Sequence, residues 1–146
     1  MNALLVLPLI LGMAGASIAC APGAGTASPA PIRDGAASAA LGGHARFGGL
    51  DVVPLRVEED SRCPARVQCI QAGTVRLTVR IDARGARSER VLTLDRSIEL
   101  AGGVLTLKNA CPYPAHPGAI PKASYLFTFT FSLPGRAPPL VPDCIG

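Results

Sequence analysis

The distribution of cysteines constrains this chain more than any other feature. One of the five, Cys20, follows an apolar N-terminal segment, whereas Cys63, Cys69, Cys111 and Cys144 are spread over the remainder. An even number of distant cysteines predicts two disulfides, which persist in oxidising compartments outside the cytosol. Three pairings are open and the sequence alone does not choose among them; we favour Cys63 with Cys69 and Cys111 with Cys144. Metal ligation by four thiolates is the alternative, but the spacing lacks paired C-x-x-C knuckles.

The first segment of the chain, residues 1–19, is typical of an export signal. Residues 3–19 carry no charge and are rich in aliphatic side chains, and small residues gather just before Cys20. An uncleaved membrane span is the alternative, although a run this short lies at the lower end of spanning lengths. Pro8, Gly12 and Gly15 interrupt the run and favour a cleaved signal peptide, which does not belong to the folded protein.

The residues around the expected cleavage point carry a family resemblance. Ser17-Ile18-Ala19-Cys20 resembles the bacterial lipobox, in which the cysteine after a small residue is acylated and becomes the new N-terminus. The resemblance implies lipidation of Cys20 and a membrane as partner through that lipid. Because Ala21 rather than Asp follows the cysteine, it also implies sorting to the outer membrane, facing the periplasm. Ordinary signal-peptidase cleavage fits Ser17 and Ala19 as well, but it would leave an odd free thiol.

Beyond the signal, composition divides the chain into a linker and one domain. Residues 20–43 hold the lipid-attachment cysteine and are mostly Ala, Gly, Pro, Ser and Thr. Because such a segment has few large apolar groups to repay the entropy of ordering, we expect a flexible, disordered linker. Residues 44–146 are long enough for a single folded domain.

The domain shows the period-two alternation of apolar and polar residues that strands require. The alternating runs are residues 53–57, 75–81, 92–94, 105–107 and 125–131. Turn residues at 83–87 and 101–103 predict hairpin connections. Since the last run carries most of the aromatic side chains, we expect it to be a central strand. The pattern predicts an all-β fold, a small antiparallel β-sandwich or barrel stapled by disulfides.

One stretch resembles a known motif. Residues 59–73 read EDSRCPARVQCIQAG, which is similar to DSRCP followed by V-x-C-x-W-A-G in small secreted or lipid-anchored bacterial proteins of unknown function, with Gln71 in place of Trp. The resemblance implies a small β domain, supports the pairing of Cys63 with Cys69, and implies no activity. The residues themselves predict a stapled turn in which Arg62 makes a bidentate contact with Glu59 or Asp60.

The same stretch contains the candidate binding loop of the chain. Its candidate contact residues are Arg62, Pro64, Arg66 and Gln68. A loop closed by a disulfide loses less freedom on binding than an open one, so it suits the presentation of side chains to a partner.

Signs of catalytic or metal chemistry are weak. The acidic run Glu58, Glu59 and Asp60 lacks the spacing of a calcium site and predicts a solvated rim. His44 and His116 lie far apart in Gly- or Pro-rich segments with nothing in the sequence to orient them. Hydrolase, metalloprotease and phosphate-loop motifs are absent. We therefore predict no catalytic residue, no metal site and no cofactor, and the chain is not expected to be an enzyme.

Five arginines cluster around one predicted hairpin, namely Arg76, Arg80, Arg84, Arg87 and Arg90. They form either an anion-binding surface for an anionic envelope component or a solvated strand edge that deters aggregation. Nucleic acid is not an expected partner outside the cytoplasm.

These observations together predict an exported lipoprotein with a non-enzymatic β-sandwich-like domain, structural or partner-binding in the cell envelope. The alternative is a secreted protease inhibitor or ligand-binding module that presents the loop closed by Cys63 and Cys69.

Overall fold

Strands make up almost all of the regular structure in the computed structural model, which describes residues 28–116 and 118–144. The eight strands of these ranges are β1 (Gly35–Ala40), β2 (Ala45–Arg46), β3 (Leu50–Asp60), β4 (Val75–Ala83), β5 (Ala86–Thr93), β6 (Ser97–Leu100), β7 (Gly103–Cys111) and β8 (Leu126–Ser132). One 3-10 turn, Lys122–Ser124, precedes β8. Within these ranges no helix has the length and hydropathy needed to cross a membrane. The predicted signal peptide, Cys20 and the first part of the predicted linker lie outside the described residues.

The strands form two antiparallel four-stranded sheets that enclose one core. The first sheet has the order β1-β8-β7-β6 and the second β2-β3-β4-β5. Buried side chains of both sheets belong to a single hydrophobic cluster, and the rings of Phe47 and Phe131 meet across it with centroids 6.0 Å apart. The predicted all-β, disulfide-stapled architecture is confirmed, in its sandwich form.

The aromatic strand β8 is central, as predicted. It lies between β1 and β7, and Phe127, Phe129 and Phe131 are completely buried. Burying a phenyl side chain stabilises a fold by about 2–3 kcal/mol relative to leaving it in water. The alternation of β4 is also confirmed, because Val75 and Ile81 at its two ends both lie in the core.

The prediction of a disordered linker through residue 43 is wrong for its last part. Residues 35–40 form β1 and pair with β8, Ala39 lying opposite Phe127. Upstream of β1, Ile32 is buried and bridges Gly48. Small side chains let this strand lie close against the aromatic strand, and backbone pairing orders it without large apolar groups of its own. The folded domain therefore includes residues well before position 44.

The predicted face of β3 is wrong because the strand contains two bulges. Its register against β4 shifts between Pro54 and Arg56 and again between Val57 and Glu59. A bulge inserts one unpaired residue and so reverses which alternate side chains face inward. Val57 packs against the core as expected, whereas Val53 lies opposite Arg80 on the outer face, where it is nevertheless buried.

Both predicted hairpins are confirmed. Arg84 and Gly85 connect β4 to β5 with φ angles of 52° and 84°. Ala101 and Gly102 connect β6 to β7 with φ angles of 52° and 79°. Two successive residues with positive φ match the twist of the flanking strands in tight hairpins.

The two favoured disulfides are present, and they indicate a non-cytoplasmic protein. Cys63 is bonded to Cys69, and Cys111, the last residue of β7, is bonded to Cys144. These bonds join residues 6 and 33 positions apart. In the chain-entropy model, loops of these sizes correspond to about 2 and about 4 kcal/mol of stabilisation.

The longer disulfide fixes a C-terminal strap, residues 134–144, across the outer face of the first sheet. Arg136 Nη1 donates to Asp34 Oδ2 at 3.1 Å near one end, and Asn109 Nδ2 donates to the Pro142 carbonyl at 3.2 Å near the other. Thr130 projects from this outer face of β8 yet is only 1% exposed. The strap thus adds a partial third layer to the sandwich.

Candidate functional site

The candidate site is one end of the sandwich, here called the stapled end. It comprises the β3–β4 loop (residues 61–74), the β7–β8 loop (residues 112–125) and Cys144, and it holds both disulfides. The two loops contact each other directly, because the backbone N–H of Ala65 donates to the Pro114 carbonyl at 3.0 Å. The arginine-rich hairpin between β4 and β5 lies at the opposite end.

A buried ion pair forms the base of the stapled end. Arg62 Nε donates to Asp60 Oδ1 at 2.9 Å, and Nη2 donates to Oδ2 at 2.7 Å. The side chains are only 4% and 11% exposed. The predicted bidentate contact of Arg62 with an acidic neighbour is confirmed, and Asp60 is the partner. Because of the second bulge in β3, Asp60 lies opposite Val75 and on the core side of the sheet.

Arg62 also joins the two sheets. Its Nη1 donates to the Ala110 carbonyl in β7, and its Nη2 donates to the Pro112 carbonyl at 3.1 Å. Its guanidinium carbon lies 5.3 Å from the centroid of the Tyr113 ring, within cation–π range. A residue that follows a strand of the second sheet is thereby tied to the end of a strand in the first.

Tyr125 completes this network from the β7–β8 loop. Its hydroxyl donates to Asp60 Oδ2 at 2.7 Å. Burial alone would raise the pKa of Asp60, but the hydrogen bonds from Arg62 and Tyr125 and the charge of Arg62 outweigh burial, so this pKa lies below its ordinary value. Burial, together with the bond to the Asp60 carboxylate, raises the pKa of Tyr125 to about 12.

The signs of these pKa shifts define the pH window of the network. Asp60 has a lowered pKa in the fold, so its contribution is complete above its unfolded pKa and is lost as the pH falls through the folded value. Tyr125 has a raised pKa, so its contribution is complete below about pH 10 and is lost as the pH rises towards 12. The network is therefore intact across the neutral range.

The rest of the motif forms the predicted turn. The Ser61 backbone N–H donates to the Thr74 carbonyl at 2.9 Å, and the Thr74 N–H donates to Ser61 Oγ at 3.0 Å. A β-carbon on Gly73 would lie 1.5 Å from the Ser61 carbonyl oxygen. Only glycine fits at this position, because any side chain would force the two segments apart.

A cleft of about 450 Å³ opens between the two loops. Glu58, His116 and Lys122 lie along it, and Asp60 and Tyr125 also line it. The hydrogen bond from Thr78 and the charge of Arg56 hold the pKa of Glu58 below its ordinary value, despite some desolvation.

One carboxylate in the lining of this cleft is committed to the fold. Asp60 is already engaged by Arg62 and Tyr125. Within residues 28–116 and 118–144, no hydrogen-bond partner orients the ring of His116. Glu58, His116 and Lys122 leave the cleft able to contact polar groups of a ligand.

The two histidines do not meet. Nδ1 of His44 lies 2.6 Å from Asp51 Oδ2 near the start of β3, whereas His116 lies in the cleft beside the end of that strand. Among the described residues no group of three or more His, Cys, Asp or Glu side chains is placed to hold a metal ion.

The three residues of the acidic run differ in their exposure. Glu58 is exposed and Glu59 is partly exposed, but Asp60 belongs to the buried network. The predicted solvated rim is therefore wrong at Asp60.

The candidate binding loop is only partly available to a partner. Arg66 and Gln68 are exposed and Pro64 is half-buried, but Arg62 points inward and is wrong as a contact residue. The analysis of the sequence missed Ile70, which is fully exposed at 103% of its reference area. An apolar residue directly after Cys69 and outside any alternating run was the signal that could have identified it.

The arginine cluster is partly neutralised by acidic neighbours. Arg76 Nη1 lies 3.9 Å from Glu59 Oε2, and Arg87 Nη2 lies 3.3 Å from Asp82 Oδ2. Arg80 lies opposite Glu89 across the β4–β5 pair. Interspersed charges of both signs fit a solvated strand edge better than a strong anion-binding surface.

Comparison with protein-family models, with curated proteins and with solved structures finds no match to this chain.

We predict that Asp60→Asn destabilises the fold by about 3 kcal/mol or more, because it leaves the buried Arg62 guanidinium without a counter-charge. Denaturant unfolding measures the loss. Glu59→Gln is the matched control: its carboxylate is half-exposed, and its loss should cost less than about 1 kcal/mol. Equal losses for the two variants would show that the Asp60 pair has no special role.

Proposed function

We propose that this chain is an exported protein, anchored to the outer membrane through a lipid on Cys20, whose non-enzymatic domain binds a partner in the cell envelope through the stapled end. The observation that carries the proposal is two exposed aliphatic residues at the short disulfide: Val67, 44% exposed, lies within the ring closed by Cys63 and Cys69, and the fully exposed Ile70 follows Cys69 directly. An exposed aliphatic residue on a constrained loop favours contact with another protein.

The positions of the first described residues and of the stapled end, at opposite ends of the domain, support an anchor at one end and partner binding at the other. The described chain starts near the arginine-rich hairpin: Gly49 N–H donates to the Pro31 carbonyl at 3.2 Å, and Arg84 N–H donates to the Gly49 carbonyl at 3.1 Å. The stapled end lies at the other end of β3, which at ordinary strand rise is roughly 30 Å away. A lipid attached upstream would therefore join the domain at the end opposite the stapled end.

The buried polar side chains of the stapled end stabilise the fold, which supports a non-enzymatic role for the domain. Asp60, Arg62 and Tyr125 of the stapled end bond to one another, and these hydrogen bonds hold the fold together. Catalysis instead needs groups that are free to exchange protons or bonds with a substrate.

The loop conformation favours general partner binding over protease inhibition. Val67 N–H donates to the Pro64 carbonyl at 3.0 Å, which closes a tight turn around Ala65 and Arg66. A turn presents side chains outward, whereas a segment that adds to a partner as a strand must be extended.

We expect Cys20→Ala to move the protein from the membrane fraction to the soluble periplasmic fraction, because the acylated side chain is removed. Fractionation with intact-mass spectrometry of the parent measures this, and the parent mass should include the acyl chains. A variant lacking Cys63 and Cys69 serves as control and should stay in the membrane fraction. If Cys20→Ala stays there too, the anchor is wrong.

For partner binding, we expect a photo-cross-linking amino acid at Gln68 to give a discrete protein adduct in the envelope. Val91 is the control position, because it is also exposed but lies on β5 of the second sheet. Adding Ile70→Ser to the Gln68 probe should remove the adduct without lowering the melting temperature. Identical adducts from the two positions, or none from Gln68, would contradict the proposed surface.

A further inference from the structure

A second cleft, of about 480 Å³, lies between the strap and the outer face of the first sheet. Of its lining residues only Tyr113 belongs to the stapled end. Its floor comes from β6, β7 and β8, and the proline-rich part of the strap forms one wall.

The floor of this cleft is made of hydroxyl groups. Thr130 of β8 pairs with Thr106 of β7, which pairs in turn with Ser97 of β6, so the three side chains form one row across the sheet. Ser97 Oγ and Thr106 Oγ1 lie 2.8 Å apart. Ser97 is exposed, whereas Thr106 and Thr130 are only 9% and 1% exposed, so the hydroxyl most open to the cleft is that of Ser97. A hydroxyl both donates and accepts hydrogen bonds, so this group can pair with a ligand that carries hydroxyls of its own.

The walls of the cleft add charged and amide groups with a net negative balance. Lys108 Nζ is paired with Asp95, and Asp143 of the strap adds a second carboxylate. The side chain of Asn109 holds the strap in place through the Pro142 carbonyl. With two carboxylates against one ammonium group, a phosphate-bearing ligand would be repelled.

An aromatic ring lies at the edge of the cleft. Tyr113 lines it and is 55% exposed. The Arg62 guanidinium, fixed by Asp60, packs over the ring at 5.3 Å. Because that contact holds the ring in place, its remaining surface is presented to a ligand at little cost in conformational entropy.

From these groups we infer that the cleft under the strap binds a neutral saccharide. The Ser97 hydroxyl donates to and accepts from the sugar hydroxyls, the carboxylates accept from them, and the Tyr113 ring stacks against the apolar C–H face of a sugar ring. The volume lies within the range of small-ligand sites. The floor of the cleft is formed by side chains of a sheet face, so it offers no backbone ladder for a peptide.

The test is a titration of the exported Cys20→Ala chain, followed by backbone amide chemical shifts. Two neutral probes are added separately: chitobiose, an N-acetylated disaccharide, and cellobiose, which has only hydroxyls. We expect saturable shifts at Ser97, Thr106, Tyr113 and Thr130 with at least one probe. Binding of chitobiose alone assigns the site to N-acetylated sugars, and binding of both assigns it to neutral sugars in general.

Variants on the outer face of the first sheet provide the control. Ser97→Ala removes an exposed hydroxyl of the cleft with little change of shape and should weaken binding at least tenfold, whereas Ser97→Thr retains a hydroxyl and should bind as the parent does. Thr128→Val, on the same face but outside the cleft, should leave the affinity unchanged. No saturable shift with either probe would overturn the inference, as would equal weakening in Ser97→Ala and Thr128→Val. Neither result would bear on the anchor or on the disulfide-closed loop.

Discussion

The pairing of Asp60 with Arg62 determines how the two halves of this sandwich meet. A buried guanidinium is tolerated only when its charge and its donors are satisfied, and here the Asp60 carboxylate, the Ala110 carbonyl of β7 and the Pro112 carbonyl just after β7 satisfy them. The same contacts fix the loop that carries Cys63 and position Tyr113. The exposed loop tip and the aromatic edge of the saccharide cleft thus both depend on this ion pair.

Strands whose core faces carry large apolar residues could be predicted from the sequence, as with β4 and β8. Two elements could not. β1 consists of Gly, Ala and Ser, and it is ordered because β8 offers a backbone edge and flat aromatic side chains, a tertiary cause that leaves no local pattern. In β3 the alternation was visible but changed phase at bulges, whose positions depend on pairing with β4.

For the candidate site, local spacing predicted what lies close in the chain. The contact of Arg62 with Asp60 spans two residues and was expected, whereas the Tyr125 hydroxyl comes from 65 positions away. The Asp60 side chain points inward because of a bulge in β3. The sequence therefore predicted a solvated residue at a position that is buried in the structure. The strap cleft depends on the disulfide between Cys111 and Cys144, which places a proline-rich tail over a row of hydroxyls.

The titration of Tyr125 tests the buried network most directly, because its phenol donates to the Asp60 carboxylate. Tyr113→Phe leaves Tyr125 as the only tyrosine, so phenolate ultraviolet absorbance reports that residue alone. The account predicts a midpoint at about pH 12 in the folded protein. In denaturant the midpoint should return to about 10. A folded-state midpoint equal to the denatured one would contradict the buried contact with Asp60.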